Sequence, residues 1–219
     1  MSLAIFDLDN TLLRGDSDHA WGTFLVERGL VDGAHYRYHN ELYYSQYQAG
    51  TLDIMEFLAF ALAPLARVER ATLDGWHREF MQSKILPMIT PPARALVQQH
   101  RARGDTLLII TATNRFVTAP IAREFGIDEL LATEPETDDA AGRFTGRVAG
   151  VPCYREGKVV RLREWLARRG ASLADSWFYS DSHNDRPLLE QVTHPVAVNP
   201  DTVLRAVAQE RGWPILELD

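Results

Sequence analysis

An α/β fold, built on a mostly parallel sheet with helices on both faces, is predicted by three features of the 219-residue chain. Short apolar runs alternate with stretches of helical periodicity; several runs end abruptly in carboxylate or hydroxyl residues; and one long segment after the first run has helical spacing alone. Continuous apolar runs read as strands covered on both faces, and right-handed crossovers between parallel strands place the helices there. The composition, 46% apolar and 24% charged, is that of a globular domain, long enough for one core and a smaller insert.

The first run, Leu3-Ala4-Ile5-Phe6, is followed at once by Asp7-Leu8-Asp9-Asn10-Thr11 and predicts a buried strand that delivers acids to its carboxyl end. Residues 17–85 are rich in aromatics, with Leu25, Leu30, Met55, Leu58, Leu62 and Leu65 in clusters three or four apart, which predicts a helical insert. Pro91-Pro92 suits a helix start, and Arg103-Gly104 its stop before a second strand at Thr106–Ile110. Thr113-Asn114 can cap the next helix, and Leu130–Thr133 is a further strand. Residues 134–153, with Gly142, Gly146 and Gly150, read as a small hairpin excursion outside the core layers. A helix beginning at Gly157-Lys158, a strand at Ser176–Ser180, a helix carrying Leu188, Leu189 and Val192, a strand at Pro195–Val198 and a helix over 201–211 complete the chain.

Composition excludes several function classes. With 23 Lys plus Arg against 30 Asp plus Glu, the net charge of −7 disfavours nucleic acid and anionic membrane surfaces as partners. The single cysteine, Cys153, can form no intramolecular disulfide and has no Cys/His companions for a zinc site. No apolar run spans a bilayer and the amino terminus lacks a secretory pattern, so a cytoplasmic location is expected.

The polar residues that end the strands carry the chemistry. Ligands of open parallel sheets bind beyond the carboxyl ends of the strands, where Asp7, Asp9, Thr111, Asp181 and Asp185 are placed. Four converging carboxylates repel unless a cation sits among them, and Mg2+, a hard ion that takes carboxylate, water and phosphate oxygens, fits best. Lys158, opening a helix, can balance a bound anion.

Asp7-Leu8-Asp9-Asn10-Thr11, Thr111, Lys158 and Asp181-Ser182-His183-Asn184-Asp185, in that order, resemble the four motifs of the haloacid dehalogenase superfamily. The helical insert resembles the C1-type cap of its phosphoserine phosphatase-like branch. The resemblance implies a Rossmann-like core domain of residues 1–15 and 87–219, a cap of residues 16–86, and Mg2+-dependent hydrolysis of a small phosphorylated metabolite. Asp7 would be the nucleophile and Asp9 the general acid and base, with its backbone carbonyl on the metal. Thr111, Lys158 and backbone N–H groups near Leu8 and Ala112 would hold the phosphoryl group. Asp7, Asp181 and Asp185 would hold the ion, and Asn184 would hold Lys158 or a phosphate oxygen.

In phosphoserine phosphatases a cap arginine pairs with the substrate carboxylate and an acid after the first motif pairs with its ammonium. Asp16 and Asp18 are counterparts for the acid, but residues 51–61 hold no basic residue to serve as the arginine. A phosphate ester with a cationic amine, a flat ring and no carboxylate is expected, and histidinol phosphate meets these conditions. Phosphoserine or another amino-alcohol phosphate is the first alternative. A non-catalytic phosphate-binding or phospho-switch module is the alternative of another class.

Overall fold

The computed structural model describes residues 2–138 and 142–218. Its central strand is β1 (Leu3–Phe6), whose four apolar side chains are all buried. Alternation along the strand sends Ala4 and Phe6 into one apolar cluster and Leu3 and Ile5 into another, so the sheet is packed on both faces. β1 pairs in parallel with β2 (Thr106–Asn114) on one side and with β5 (Ser176–Ser180) on the other. The seven strands run in the order β4-β3-β2-β1-β5-β6-β7, with β3 (Glu129–Thr137), β4 (Phe144–Ala149), β6 (His194–Val198) and β7 (Ile215–Leu216). Only the β3/β4 pair is antiparallel.

Four helices fill the segment between β1 and β2: α1 (Ser17–Glu27), α2 (Gly33–Gln48), α3 (Ile54–Ala66) and α4 (Arg70–Phe80). Three start on an aspartate cap, Asp16, Asp32 and Asp53, whose carboxylates accept from the first free backbone N–H groups. Trp21, Phe24, Leu58, Leu62 and Phe80 bury their faces in the same apolar cluster as Phe6. Entry and exit of this insert lie side by side: Leu13 bridges Ile89, and Arg14 N donates to Met88 O. The exit is a π turn at Met81–Ile85 followed by a 3-10 turn at Leu86–Met88, irregularities of the kind found at hinges.

The remaining helices are α5 (Pro91–Arg103), α6 (Arg115–Glu124), α7 (Glu156–Arg169), α8 (Arg186–Leu189) and α9 (Thr202–Arg211). Gly104 ends α5 in the left-handed conformation at φ 78°, as the stop signal predicts, and Asn114 caps α6 by accepting from Val117 N. The structure differs from the sequence pattern in three places. The 130–133 strand runs on to Thr137 and pairs with β4, so the hairpin extends the sheet edge and packs on α3, with Gly146 against Ala66. The helix drawn through Val192 stops at Leu189, and the two-residue β7 was not anticipated. Among the described residues no helix is long and apolar enough to cross a membrane.

Candidate active site

The carboxyl ends of β1, β2 and β5 and the first turn of α7 converge on one point. Asp7 continues the ladder, its N–H donating to Tyr179 O at 2.9 Å, and then the chain turns sharply. Leu12 and Leu13 N–H both donate to Leu8 O, and Asn10 takes a left-handed φ of 54°, so Asp7 and Asp9 are held on a tight coil. Both are buried, as are Thr111, Lys158, Asp181 and Asp185.

Lys158 Nζ donates to Asp7 Oδ1 at 2.7 Å and to Asp185 Oδ2 at 2.6 Å. The same Asp185 oxygen accepts from Ser180 Oγ at 2.7 Å, which fixes its rotamer. Asp181 Oδ1 accepts from Thr11 Oγ1 at 3.1 Å, and Asp181 N returns a bond to that hydroxyl at 3.0 Å. Asp9 is oriented away from these: Oδ1 accepts from Ser17 N at 2.7 Å, and Oδ2 from Thr113 Oγ1 at 2.8 Å and Thr111 Oγ1 at 3.4 Å. Thr111 lies within β2 rather than after it, at the point where the β2/β3 register shifts.

Burial dominates the electrostatics. It lifts the Asp7 carboxyl to about 7 against the pull of Lys158, and the Asp9 carboxyl to about 6 with help from Asp16. Asp181 is pushed well above the carboxylate range by burial and by the charges of Asp7 and Asp185. Burial opposes the charge on Lys158, but Asp185 and Asp7 together hold its pKa above the ordinary lysine value. Four buried carboxylates thus gather around a site with one buried ammonium, which only Asp7 and Asp185 contact. A hard divalent cation takes oxygen donors of this kind, and its charge would relieve the repulsion, so the residues fit Mg2+. Asp185 and Asp9 have their carboxylates engaged as above, and among the described residues no three His, Cys, Asp or Glu side chains close into a cage. Mg2+ characteristically keeps waters and uses one or two carboxylates, which is the arrangement left open here.

Above Asp7 and Asp9 lies a cavity walled by α1, α2 and the start of α3. Its lining includes Asp16, Asp18, His19, Asn40, Tyr43, Tyr44, Tyr47, Ile54 and Phe57, with Thr111, Ala112 and Thr113 on the core side. No arginine or lysine lines it among the described residues. Asp16 caps α1, accepting from His19 N at 2.8 Å. Asp18 Oδ2 is buried without a partner, and burial followed by the charges of Asp16 and Asp9 pushes the carboxyl well above its usual range.

Of the other residues expected here, Leu8 is buried with its carbonyl engaged in the turn, and Ala112 O accepts from Thr133 Oγ1 at 2.7 Å. Asn184 makes no bond to Lys158: its Oδ1 accepts from Arg155 Nε and Tyr154 Oη, and its Nδ2 donates to Tyr47 O at 3.1 Å. The sequence pattern assigns Thr11, Thr113 and Ser180 no part in the site, although Thr11 lies in the first motif and Thr113 stands two residues from Thr111, on the same side of a strand. Of the aromatics in the insert, Tyr43, Tyr44, Tyr47 and Phe57 line the cavity.

Residues 4–190 match the family model described as haloacid dehalogenase-like hydrolase. A histidinol-phosphatase of Neisseria meningitidis serogroup C (strain 8013) is 51% identical over 218 residues, covering 98% of each chain. A phosphoserine phosphatase of Mycobacterium tuberculosis, SerB1, is 36% identical over 97% of this chain and 69% of its own. A crystallised protein of unknown function from Bordetella pertussis Tohama I superposes with TM-score 0.93 at 49% identity, covering 100% of this chain and 99% of that one. A substrate-bound phosphoserine phosphatase superposes with TM-score 0.71 at 17% identity over 98% of this chain and 91% of its own, a likeness of fold alone.

Proposed function

The chain belongs to the haloacid dehalogenase-like hydrolase family and is a phosphatase acting on a phosphorylated small molecule; on that premise we propose that it hydrolyses histidinol phosphate, using Mg2+ and an aspartyl-phosphate on Asp7. The observation that carries the substrate is the charge of the cavity: Asp16 and Asp18 line it, its one basic residue is His19, and no lysine or arginine lines it among the described residues. An ester bearing a cation is drawn in, whereas a substrate carboxylate would meet the charges of Asp16 and Asp18 and find no guanidinium to pair with bidentately. Tyr43, Tyr44 and Phe57 offer aromatic surface for a flat cationic ring. The Neisseria histidinol-phosphatase, matched end to end, supports the same reading.

Residues 16–86 act as a cap on a core of residues 1–15 and 87–219. Asp7, its carboxylate oriented by Lys158, attacks phosphorus and forms an acyl phosphate as the ester oxygen departs. Asp9, raised to about 6, protonates that oxygen. Water then attacks phosphorus, Asp9 takes its proton, and inorganic phosphate leaves with Asp7 restored. Thr111 and the backbone N–H groups near Leu8 and Ala112 hold the phosphoryl oxygens, and Lys158 balances their charge. Asp7, Asp181 and the Asp9 main-chain carbonyl would hold Mg2+, with Asp185 supporting through Lys158; the ion would keep Asp7 ionised and neutralise the phosphoryl group. The test is phosphate release from histidinol phosphate with and without Mg2+. Turnover that requires the ion and vanishes in Asp7→Asn supports the reading; no release from the folded, Mg2+-supplied protein contradicts it.

A further inference from the structure

The carboxyl end of α2 is fastened to the core by side chains that the chemistry above does not use. No basic residue occupies the last turn of α2, so the negative end of its dipole has no cation of its own, although Ser45, Gln46 and Tyr47 carbonyls accept from the backbone of the next turn. Arg155 fills that place: its Nη2 donates to Gly50 O, while its Nε donates to Asn184 Oδ1 at 3.0 Å. Asn184 in turn donates Nδ2 to Tyr47 O at 3.1 Å, a carbonyl that also accepts from Gly50 N, so core side chains hold the helix end at Tyr47 and just beyond it at Gly50. Gly50, at φ 67°, is pressed so close that an added Cβ would lie 2.6 Å from His183 Nε2 and 3.2 Å from Arg155 Nη2. His183 is itself held by Asp201, through Nδ1 at 2.8 Å and its backbone N–H at 2.7 Å.

Two further observations tie this contact to the reaction. Arg155 stands at φ 49°, ψ −120°, a backbone conformation costly for a side-chain-bearing residue, immediately before the helix whose first turn carries Lys158. Tyr47, whose carbonyl is caught, forms the wall between the cavity over Asp7 and the outer cleft at Asp181. Burial, with the field of Asp181, Asp7 and Asp185, pushes its phenol well above the usual tyrosine range.

We propose that Arg155 is a positioning residue: with Asn184 it latches the carboxyl end of α2 to the core and so sets Tyr47 and the aromatic wall over the reacting carboxylates. The same α7 segment then fixes both sides of the site, Lys158 from below and, through Arg155, α2 from above. Opening the latch withdraws the wall without disturbing Asp7, Asp9 or Lys158. The effect on turnover rests on the substrate reading above; the latch itself does not.

The experiment compares Arg155→Ala and Arg155→Lys with the unaltered protein by hydrogen exchange and by kinetics. In Arg155→Ala, amides of residues 44–53 should exchange about tenfold faster or more, with those of β1 and β2 unchanged, because a charge-assisted bond is lost at one end only. KM for histidinol phosphate should rise about tenfold with kcat altered less, while hydrolysis of acetyl phosphate, which needs no aromatic wall, stays within about twofold. Arg155→Lys, which keeps the charge at the helix end, should recover part of both effects. Unchanged exchange at residues 44–53 in Arg155→Ala overturns the latch, as does an equal fall in kcat for both substrates with KM unmoved. If the unaltered protein fails to hydrolyse histidinol phosphate, the substrate reading falls and the exchange result alone decides the latch.

Discussion

Asp18→Asn separates function from stability, because the two should move in opposite directions. The Oδ2 atom of Asp18 is buried with no hydrogen-bond partner, and Asp16 and Asp9 add like charge nearby. Asparagine keeps a buried polar group at the site but removes a carboxylate whose ionised form burial and the neighbouring charges oppose, so the substrate-free protein should gain about 1 kcal/mol or more. In the complex the same carboxylate would receive the cation of the substrate, a charge-assisted bond of about 1.5–3 kcal/mol. Its loss lowers kcat/KM for histidinol phosphate roughly 10- to 150-fold. The assays are urea unfolding of the free protein and kcat/KM for histidinol phosphate beside acetyl phosphate, which has no cation and should be little affected. A variant that is less stable than the parent, or that keeps its kcat/KM for histidinol phosphate, refutes the assignment of Asp18 to the cation.

Asp7→Asn should abolish turnover while circular dichroism and the unfolding midpoint show the fold retained; substantial residual turnover would remove Asp7 as nucleophile. Asp9→Asn should let an acyl phosphate accumulate from a substrate with a good leaving group, trapped by acid quench and mass spectrometry, since the first step then needs little proton donation. Thr113→Val removes a 2.8 Å donor to Asp9 and should lower kcat roughly 10-fold, about the worth of one hydrogen bond to a charged group, with KM little changed. In chelator the free protein should lose stability as pH rises from about 4 toward 8, because Asp7 and Asp9, raised to about 7 and 6, bind protons more tightly folded than unfolded. Urea midpoints at pH 5 and pH 8 check the sign, and Mg2+ at about 100 times its Kd should add about 2.7 kcal/mol at the higher pH.

Much of this architecture was legible because it rests on local signals. Leu3–Phe6 and Thr106–Ile110 are continuous apolar runs that only a doubly covered strand accommodates, and Asp7, Asp9, Asp181 and Asp185 follow strands directly. The aspartate caps and Gly104 mark helix ends through their own side-chain or backbone chemistry. What was not legible depends on partners distant in the chain. β7 is two residues long and exists only because β6 offers it an edge, through Ala197 and Val198 paired with Ile215 and Leu216. Asn184 sits in a motif whose resemblance implies a bond to Lys158 or to a phosphate oxygen, and its protein partners are Arg155, Tyr154, Ser182 and Tyr47, the last 137 positions away. Nor does any pattern mark Arg155, whose left-handed backbone and bond to Gly50 arise from the docking of α2 on the core.

The ratio of kcat/KM for histidinol phosphate to that for O-phosphoserine, measured in saturating Mg2+, tests the central claim most directly, since the two share the amine and the phosphate ester and differ where one carries an imidazole ring and the other a carboxylate that no lysine or arginine of the cavity can receive. The account predicts a ratio of roughly 100 or more, the cost of leaving one buried carboxylate without its partner. A ratio near one, or a preference for O-phosphoserine, would contradict it.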